Sequence, residues 1–233
     1  MIVFGIDTCC MSATAALLSD DRLIAQVVLN NNKTHSQKIM PLVEFMLKQA
    51  DLKASDIDCF AAAVGPGSFT GVRIGVATAK ALAYATDKPC VAVSTLKALS
   101  YNVPEFDGII CPILDARREQ VYNALFKGKE RLCDDRALSI DGLLDELIHT
   151  NDKIMFLGDG LPVFADKINE RLKDRAVFAS ASQRMNLASS VAQIGYEEFL
   201  SGNTINNNDL VPEYLRLSQA ERERLEKEGK KSE

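Results

Sequence analysis

Three observations predict an α/β chain folded as two lobes. Short apolar runs bounded by turn residues alternate with helical-period segments along most of the sequence. A glycine-rich turn joins one of these runs to a long alanine-rich helix within residues 61–85, AAAVGPGSFTGVRIGVATAKALAYA. A break at residues 104–108, Pro-Glu-Phe-Asp-Gly, separates two stretches of similar plan. At 233 residues the chain is long enough for one large domain or two lobes with a real core.

Residues 2–7 read as a buried strand ending in a polar turn, and 12–18 and 23–29 as strands on either side of Ser19-Asp20-Asp21. Asn30-Asn31-Asn32-Lys33 breaks the pattern, and a helix starting at Thr34 or Ser36 runs to Ala50. Its residues Ile39, Leu42, Val43, Met46, Leu47 and Ala50 follow the helical period, with Phe45 on the other side. The apolar surface is therefore wider than the roughly 100° stripe that one core requires. Either a partner helix covers the surplus, or the helix packs on two sides within the monomer. His35 reads as a cap-region or solvent residue rather than a ligand, because no second ligand sits nearby.

Residues 57–64 form the next strand, feeding the glycine turn and a helix to Thr86 that Asp87-Lys88-Pro89 stops. A short strand over 90–93 and a helix over 94–101 complete a β-β-β-α-β-α-β lobe, parallel wherever a helix intervenes. Beyond the break, strands are expected over 109–114, 120–126, 154–157 and 176–178, with helices over 140–149, 163–172 and 187–200. Two lobes of similar plan point to an actin-like, sugar-kinase-like (ASKHA) ATPase fold, although no internal repeat is visible. The expected division is 1–103, 104–217 and a charged tail, 218–233, that reads as a marginal solvated helix or a frayed end.

Within the glycine turn, Gly65, Gly67 and Gly71 supply backbone freedom or room for close approach. Thr70 is the expected helix cap. Free N–H groups at the helix start, with Arg73 beside them, suit an anion, and a plain tight connection suits the same residues. The turn is not a Walker loop, since Gly71 is followed by Val72 and Arg73 rather than Lys-Ser/Thr.

The formal net charge of −5 argues against strong direct nucleic-acid binding, which needs a basic patch. Six cysteines show neither a CxxC pair nor zinc spacing and read as reduced, buried thiols. With no signal-peptide pattern and no uninterrupted apolar stretch of membrane-spanning length, a cytoplasmic protein is expected. Asp20-Asp21 and Asp134-Asp135 read as solvated turns. Only two histidines occur, His35 and His149, neither beside a nucleophile motif. Candidate nucleotide-binding positions are Asp7 and Thr8 after the first strand, Gly65 and Gly67 in the turn, and Gly158 and Gly160 in a Gly-Asp-Gly loop. Asp115, Arg117, Arg118 and Glu119 form a further polar cluster, either a structural corner or a surface for a partner or nucleotide.

The run GPGSFTGVRIG, with GIDT near the start and DARREQVY downstream, closely resembles the bacterial TsaB (YeaZ) family over residues 1 to about 217. The resemblance implies a non-catalytic paralogue of TsaD, the enzyme that makes threonylcarbamoyladenosine beside the anticodon of certain tRNAs. In TsaD, a segment resembling P-x-V-x-V precedes an HxxxH pair that ligates the metal. Aligned here, Thr95 and Leu99 stand where the ligands would be, so no histidine-based metal site is expected. The resemblance further implies a homodimer that gives way to a heterodimer with a TsaD-like subunit. The implied contact residues are Lys38, Met40, Pro41, Phe45, Ile74, Thr78, Ala81 and Tyr84. A TsaE-like ATPase would join the assembly, and tRNA would be held indirectly through the complex. No cofactor is required by this chain, with ATP or ADP at the complex interface left open. The alternative classes are a stand-alone nucleotide-binding ATPase or peptidase-like hydrolase, and a module whose ligand regulates assembly.

Overall fold

The computed structural model describes residues 1–31 and 35–216. The helix start expected at Thr34 and the tail 218–233 lie outside the described residues. Strands β1 (Ile2–Asp7), β2 (Ala13–Ser19) and β3 (Arg22–Leu29) form an antiparallel meander. Helix α1 (His35–Gln49) leads to β4 (Cys59–Gly65), helix α2 (Phe69–Thr86) and β5 (Cys90–Ser94), and β4 and β5 run parallel to β1. The resulting sheet has the order β3-β2-β1-β4-β5.

Helix α3 (Thr95–Ser100) connects to a seven-stranded sheet. Its strands are β6 (Ile109–Asp115), β7 (Gln120–Asn123), β8 (Phe126–Lys127), β9 (Glu130–Arg131), β10 (Arg136–Ser139), β11 (Ile154–Leu157) and β12 (Ala176–Phe178). Helices α4 (Ile140–Leu147) and α5 (Leu161–Leu172) cover one face of it, and α6 (Ala188–Leu200) follows β12.

The expected single strand over 120–126 is broken. Pro112, in mid-β6, has no N–H to give a ladder. The Asn123 amide donates instead to Pro112 O at 3.4 Å and Ala124 O at 2.9 Å, and the chain steps sideways into β8. Strands β9 and β10 were not expected at all.

Side-chain alternation assigns the cores. Along β6, Ile109, Cys111 and Ile113 face α4 and α5, whereas Ile110 and Leu114 join the core of the first sheet. Helix α6, although it follows the second sheet in sequence, packs on the first. A Cβ on Gly5 would lie 2.4 Å from Ala188 O, and one on Gly195 would lie 2.5 Å from Ala61 Cβ, so small residues let the helix sit almost on the strands. Phe4 and Phe60, on the opposite face, meet with ring centres 5.6 Å apart beneath α1 and α2. The chain then returns along β5, with Ile205 pairing with Cys90, and residues 211–216 pass over the glycine turn.

Candidate functional site

The turn after β1 is the centre of the molecule's polar interior. Asp7 is fully buried, and burial pushes its carboxyl above the usual range against the opposing effect of its hydrogen bonds. Its Oδ1 accepts from the Cys9 N–H at 2.8 Å and its Oδ2 from Asn186 Nδ2 at 2.6 Å. Thr8 donates its hydroxyl to Gly71 O at 2.6 Å, and Cys9 O accepts from the Ser68 N–H at 2.7 Å. Asp159 lies across the cleft, its carboxyl also raised by burial, with Oδ1 accepting from the Asp115 N–H at 3.1 Å. Between these walls lies a cleft of about 350 Å³, its lining including Met11, Ser12, Asn30, Asp159, Met185 and Asn186.

The glycine turn is built for close approach, as read from sequence. Gly65 has φ of +129°, and a Cβ on Gly71 would lie 2.1 Å from Thr8 O. The expected cap at Thr70 is corrected. Ser68 precedes the first helical residue, Phe69, and its Oγ accepts from the Gly71 N–H at 3.3 Å. Arg73 does not face the helix start as a free charge. Its Nε donates to Tyr214 Oη at 2.7 Å, and its guanidinium sits 5.4 Å and 5.5 Å from the Phe69 and Tyr214 ring centres. Glu213 donates its N–H to Val64 O at 2.7 Å, and its carbonyl covers Gly65. A strap over residues 211–216 thus roofs the turn.

Of the nucleotide candidates, Gly158 lines the cleft, Asp7 and Thr8 are fully buried and reach it only through Asp7's bond to the lining residue Asn186, Gly65 is roofed and Gly67 packs against Cys9 O. The N–H of Gly158 is bonded to Arg184 O at 2.8 Å and that of Gly160 to Ile113 O at 3.1 Å. The 115–119 cluster forms a strained corner between β6 and β7. Arg117, Arg118 and Glu119 all have positive φ, and Arg216 donates to Ala116 O at 2.8 Å. Asn186 and Asp159 were not singled out from sequence. The only signal for Asn186 was the need of a buried carboxylate for a donor, and that donor is 179 positions away.

Thr95 and Leu99 are both buried in the core. The Thr95 hydroxyl lacks a hydrogen bond of good geometry and neighbours the Cys9 thiol. Among the described residues, no group of three or more His, Cys, Asp and Glu side chains is placed to hold a metal ion. His35 sits in the first turn of α1 with Nε2 2.8 Å from Cys10 O, and His149 is exposed.

The contact candidates fall on two neighbouring helices. Ile39, Val43 and Met46 turn α1 inward, leaving Lys38, Met40, Pro41 and Phe45 outward. On α2, Ala79 and Ala83 are buried, Ile74 and Thr78 half-buried, and Ala81 and Tyr84 exposed. Phe45 is 57 % exposed and Tyr84 76 %, and with Met40 they place large apolar or aromatic side chains on the outward faces of these two helices.

A protein-family model described as "TsaD: tRNA N6-adenosine threonylcarbamoyltransferase" matches residues 22–223. The chain is also 36 % identical, over 97 % of its length and 99 % of the relative's, to the Bacillus subtilis "tRNA threonylcarbamoyladenosine biosynthesis protein TsaB". The chain belongs to the TsaB family. The solved structure of YeaZ from Pseudomonas aeruginosa superposes with a TM-score of 0.77 at 24 % identity, covering 92 % of this chain and 99 % of that one. Component A of the Acidaminococcus fermentans (R)-2-hydroxyglutaryl-CoA dehydratase shares the architecture at a TM-score of 0.55 and 11 % identity, covering 85 % and 98 %. The fold is the two-lobed actin-like, sugar-kinase-like α/β fold, and TsaB-family membership sets the frame in which the exposed helices are read. No helix among the described residues is long and apolar enough to cross a membrane.

Proposed function

We propose that this TsaB-family chain is a non-catalytic subunit required for threonylcarbamoyl transfer to the adenosine beside the anticodon of tRNA. It pairs through the outward faces of α1 and α2 with a TsaD-like subunit that carries substrate, metal and chemistry, and a TsaE-like ATPase joins the pair. Alone, it forms a homodimer through the same face.

The observation that carries this reading is the exposed face holding Met40, Phe45, Ala81 and Tyr84 on adjacent helices. Burying such aromatic and thioether side chains contributes about 1.5–3 kcal/mol each, and small residues beside them allow helices to approach closely. Support also comes from the core positions of Thr95 and Leu99, which leave the alanine-rich helix without metal donors beyond it. The enclosed N–H groups of Gly158 and Gly160 favour no nucleotide requirement on this chain, with ATP or ADP confined to the complex. tRNA would then be held by the assembly rather than by this acidic chain.

The test is reconstitution. With a TsaD-like subunit, a TsaE-like ATPase, threonylcarbamoyl-AMP, ATP and tRNA, modification should require this chain, and Phe45→Glu with Met40→Glu should abolish both pairing and modification. Modification at an unchanged rate without the chain would overturn the proposal, as would unchanged pairing of the double variant.

A further inference from the structure

We infer that the turn over residues 8–12 mechanically couples the cleft to α1 and α2, so that the state of the cleft sets how strongly the outward helices assemble. This rests on the contact-face reading above. Three bonds leave the turn toward the helices. Cys10 O is 2.8 Å from His35 Nε2 in the first turn of α1, Cys9 O accepts from Ser68, the cap of α2, at 2.7 Å, and Thr8 Oγ1 donates to Gly71 O at 2.6 Å. Steric contact tightens the last link. A Cβ on Gly75 would lie 2.6 Å from Thr8 Oγ1 and one on Gly67 2.5 Å from Cys9 O, so there is no slack between the turn and α2.

On the other side, the same turn is held by groups that belong to the cleft. The Cys9 N–H donates to Asp7, whose second oxygen takes the Asn186 amide, and Met11, Ser12 and Asn186 line the cavity. Asn186 stands just before α6, on the face of the sheet opposite α1 and α2. A ligand that draws Asn186 or Asp7 into the cleft must drag the turn or break its bonds. Close-packed interiors answer such a pull by switching between discrete arrangements rather than by stretching. Because coupling between sites is reciprocal, assembly on α1 must also bias the cleft.

The experiment uses the full chain and needs no identified ligand. Asn186→Ala and Asp7→Asn perturb the cleft, and Phe45→Glu perturbs the face. Self-association is measured by sedimentation, and amide hydrogen exchange is read along α1 and α2, with α4 as the remote control. Either cleft variant should weaken association at least about fivefold, the low end of measured coupling between sites. Either should also speed exchange at the starts of α1 and α2 and leave α4 unchanged. In the reverse direction, His35→Leu should speed exchange at residues 9–12 while His35→Gln, which keeps a donor, restores it. If Phe45→Glu leaves association unchanged, the contact-face reading fails, and the exchange pattern still reports on the coupling. If both cleft variants leave α1 and α2 exchange unchanged, or raise exchange equally in α4, the coupling is refuted. Should both fail to fold, unchanged exchange at residues 9–12 in His35→Leu refutes it alone.

Discussion

Replacing Tyr214 by alanine should free the strap that roofs the glycine turn. Tyr214 stacks on Phe69 with ring centres 4.1 Å apart and planes 3° from parallel, and Arg73 joins both rings through its guanidinium and the Tyr214 hydroxyl. A stacked aromatic pair contributes about 1 kcal/mol beyond its buried area. An exposed cation–π contact adds about 0.5–1 kcal/mol. The hydrogen bond from the exposed guanidinium adds about 0.5–1 kcal/mol. All three pass through Tyr214, and the last two share the Arg73 guanidinium, so they do not add fully and the loss is about 2 kcal/mol. Each 1.4 kcal/mol is tenfold, so the open strap becomes about thirtyfold more populated. The Glu213 N–H, bonded to Val64 O at 2.7 Å, is the reporter. Its hydrogen exchange should accelerate about thirtyfold in Tyr214→Ala, and only about fivefold in Tyr214→Phe, which keeps the stack. Unchanged Glu213 exchange in Tyr214→Ala would refute the view that this aromatic pair holds the strap.

Three other outcomes follow from the same geometry. The Asp7 carboxyl is raised by burial, so the folded state holds that proton more tightly than the unfolded chain does. The stability it contributes is present below about pH 4 and is lost as pH rises through the folded value. Asp7→Asn removes this dependence, so its stability relative to the parent should rise between pH 4 and pH 7 in urea titrations; a fall would contradict the assignment. Gly5→Ala places a Cβ 2.4 Å from Ala188 O and 2.7 Å from Ala192 N, backbone atoms that cannot swing aside. It should cost at least about 2 kcal/mol and lower the melting temperature by about 4–8 °C; an unchanged melting temperature in calorimetry would mean that α6 does not lie on β1. Burial raises Cys59 to about 12 and Cys90 to about 11, and pushes Cys9, Cys10 and Cys111 up as well. Under native conditions at pH 8, alkylation followed by mass spectrometry should therefore label only the half-buried Cys133. Fast labelling of Cys10 would mean that the cleft opens.

The parts legible in the sequence are those whose physics is local. The glycine turn declared itself because Gly65 needs a positive φ and Gly67 and Gly71 meet backbone, and such needs are written into single residues. The over-wide apolar surface of α1 was legible because helical period alone separates Phe45 from Ile39, Val43 and Met46. The hairpin through β8 and β9 was not, since two-residue strands have no period to read. Nor was the strap, whose hold on the first lobe is one aromatic stack and a few bonds to distant backbone. The return of α6 to the first sheet depends on Gly5 and Gly195 meeting partners across the chain, and nothing in the neighbouring residues announces it. Asn186 was illegible for the same reason: its amide is called for by a carboxylate 179 positions away.

The cost of admitting a nucleotide phosphate group gives the strongest reason to assign the cleft a mechanical part. The N–H groups that would receive phosphates from the Gly158 loop are already spent on Arg184 O and Ile113 O. Freeing both costs about 2 kcal/mol, at roughly 1 kcal/mol net for each bond. The incoming charge would then lie near the Asp7 and Asp159 carboxyl groups, with Arg73 committed to its aromatic pair. Losing about 2 kcal/mol before any repulsion lowers affinity about thirtyfold. A neutral ligand, or none, avoids these costs. The bonds at Gly158 and Gly160 hold one wall of the cleft to Arg184 O and to Ile113 O of β6, and a separate set, from Ser68 to Cys9 O and from Thr8 to Gly71 O, holds the turn over residues 8–12 to α2, so it is this second set that would carry a displacement to the helices.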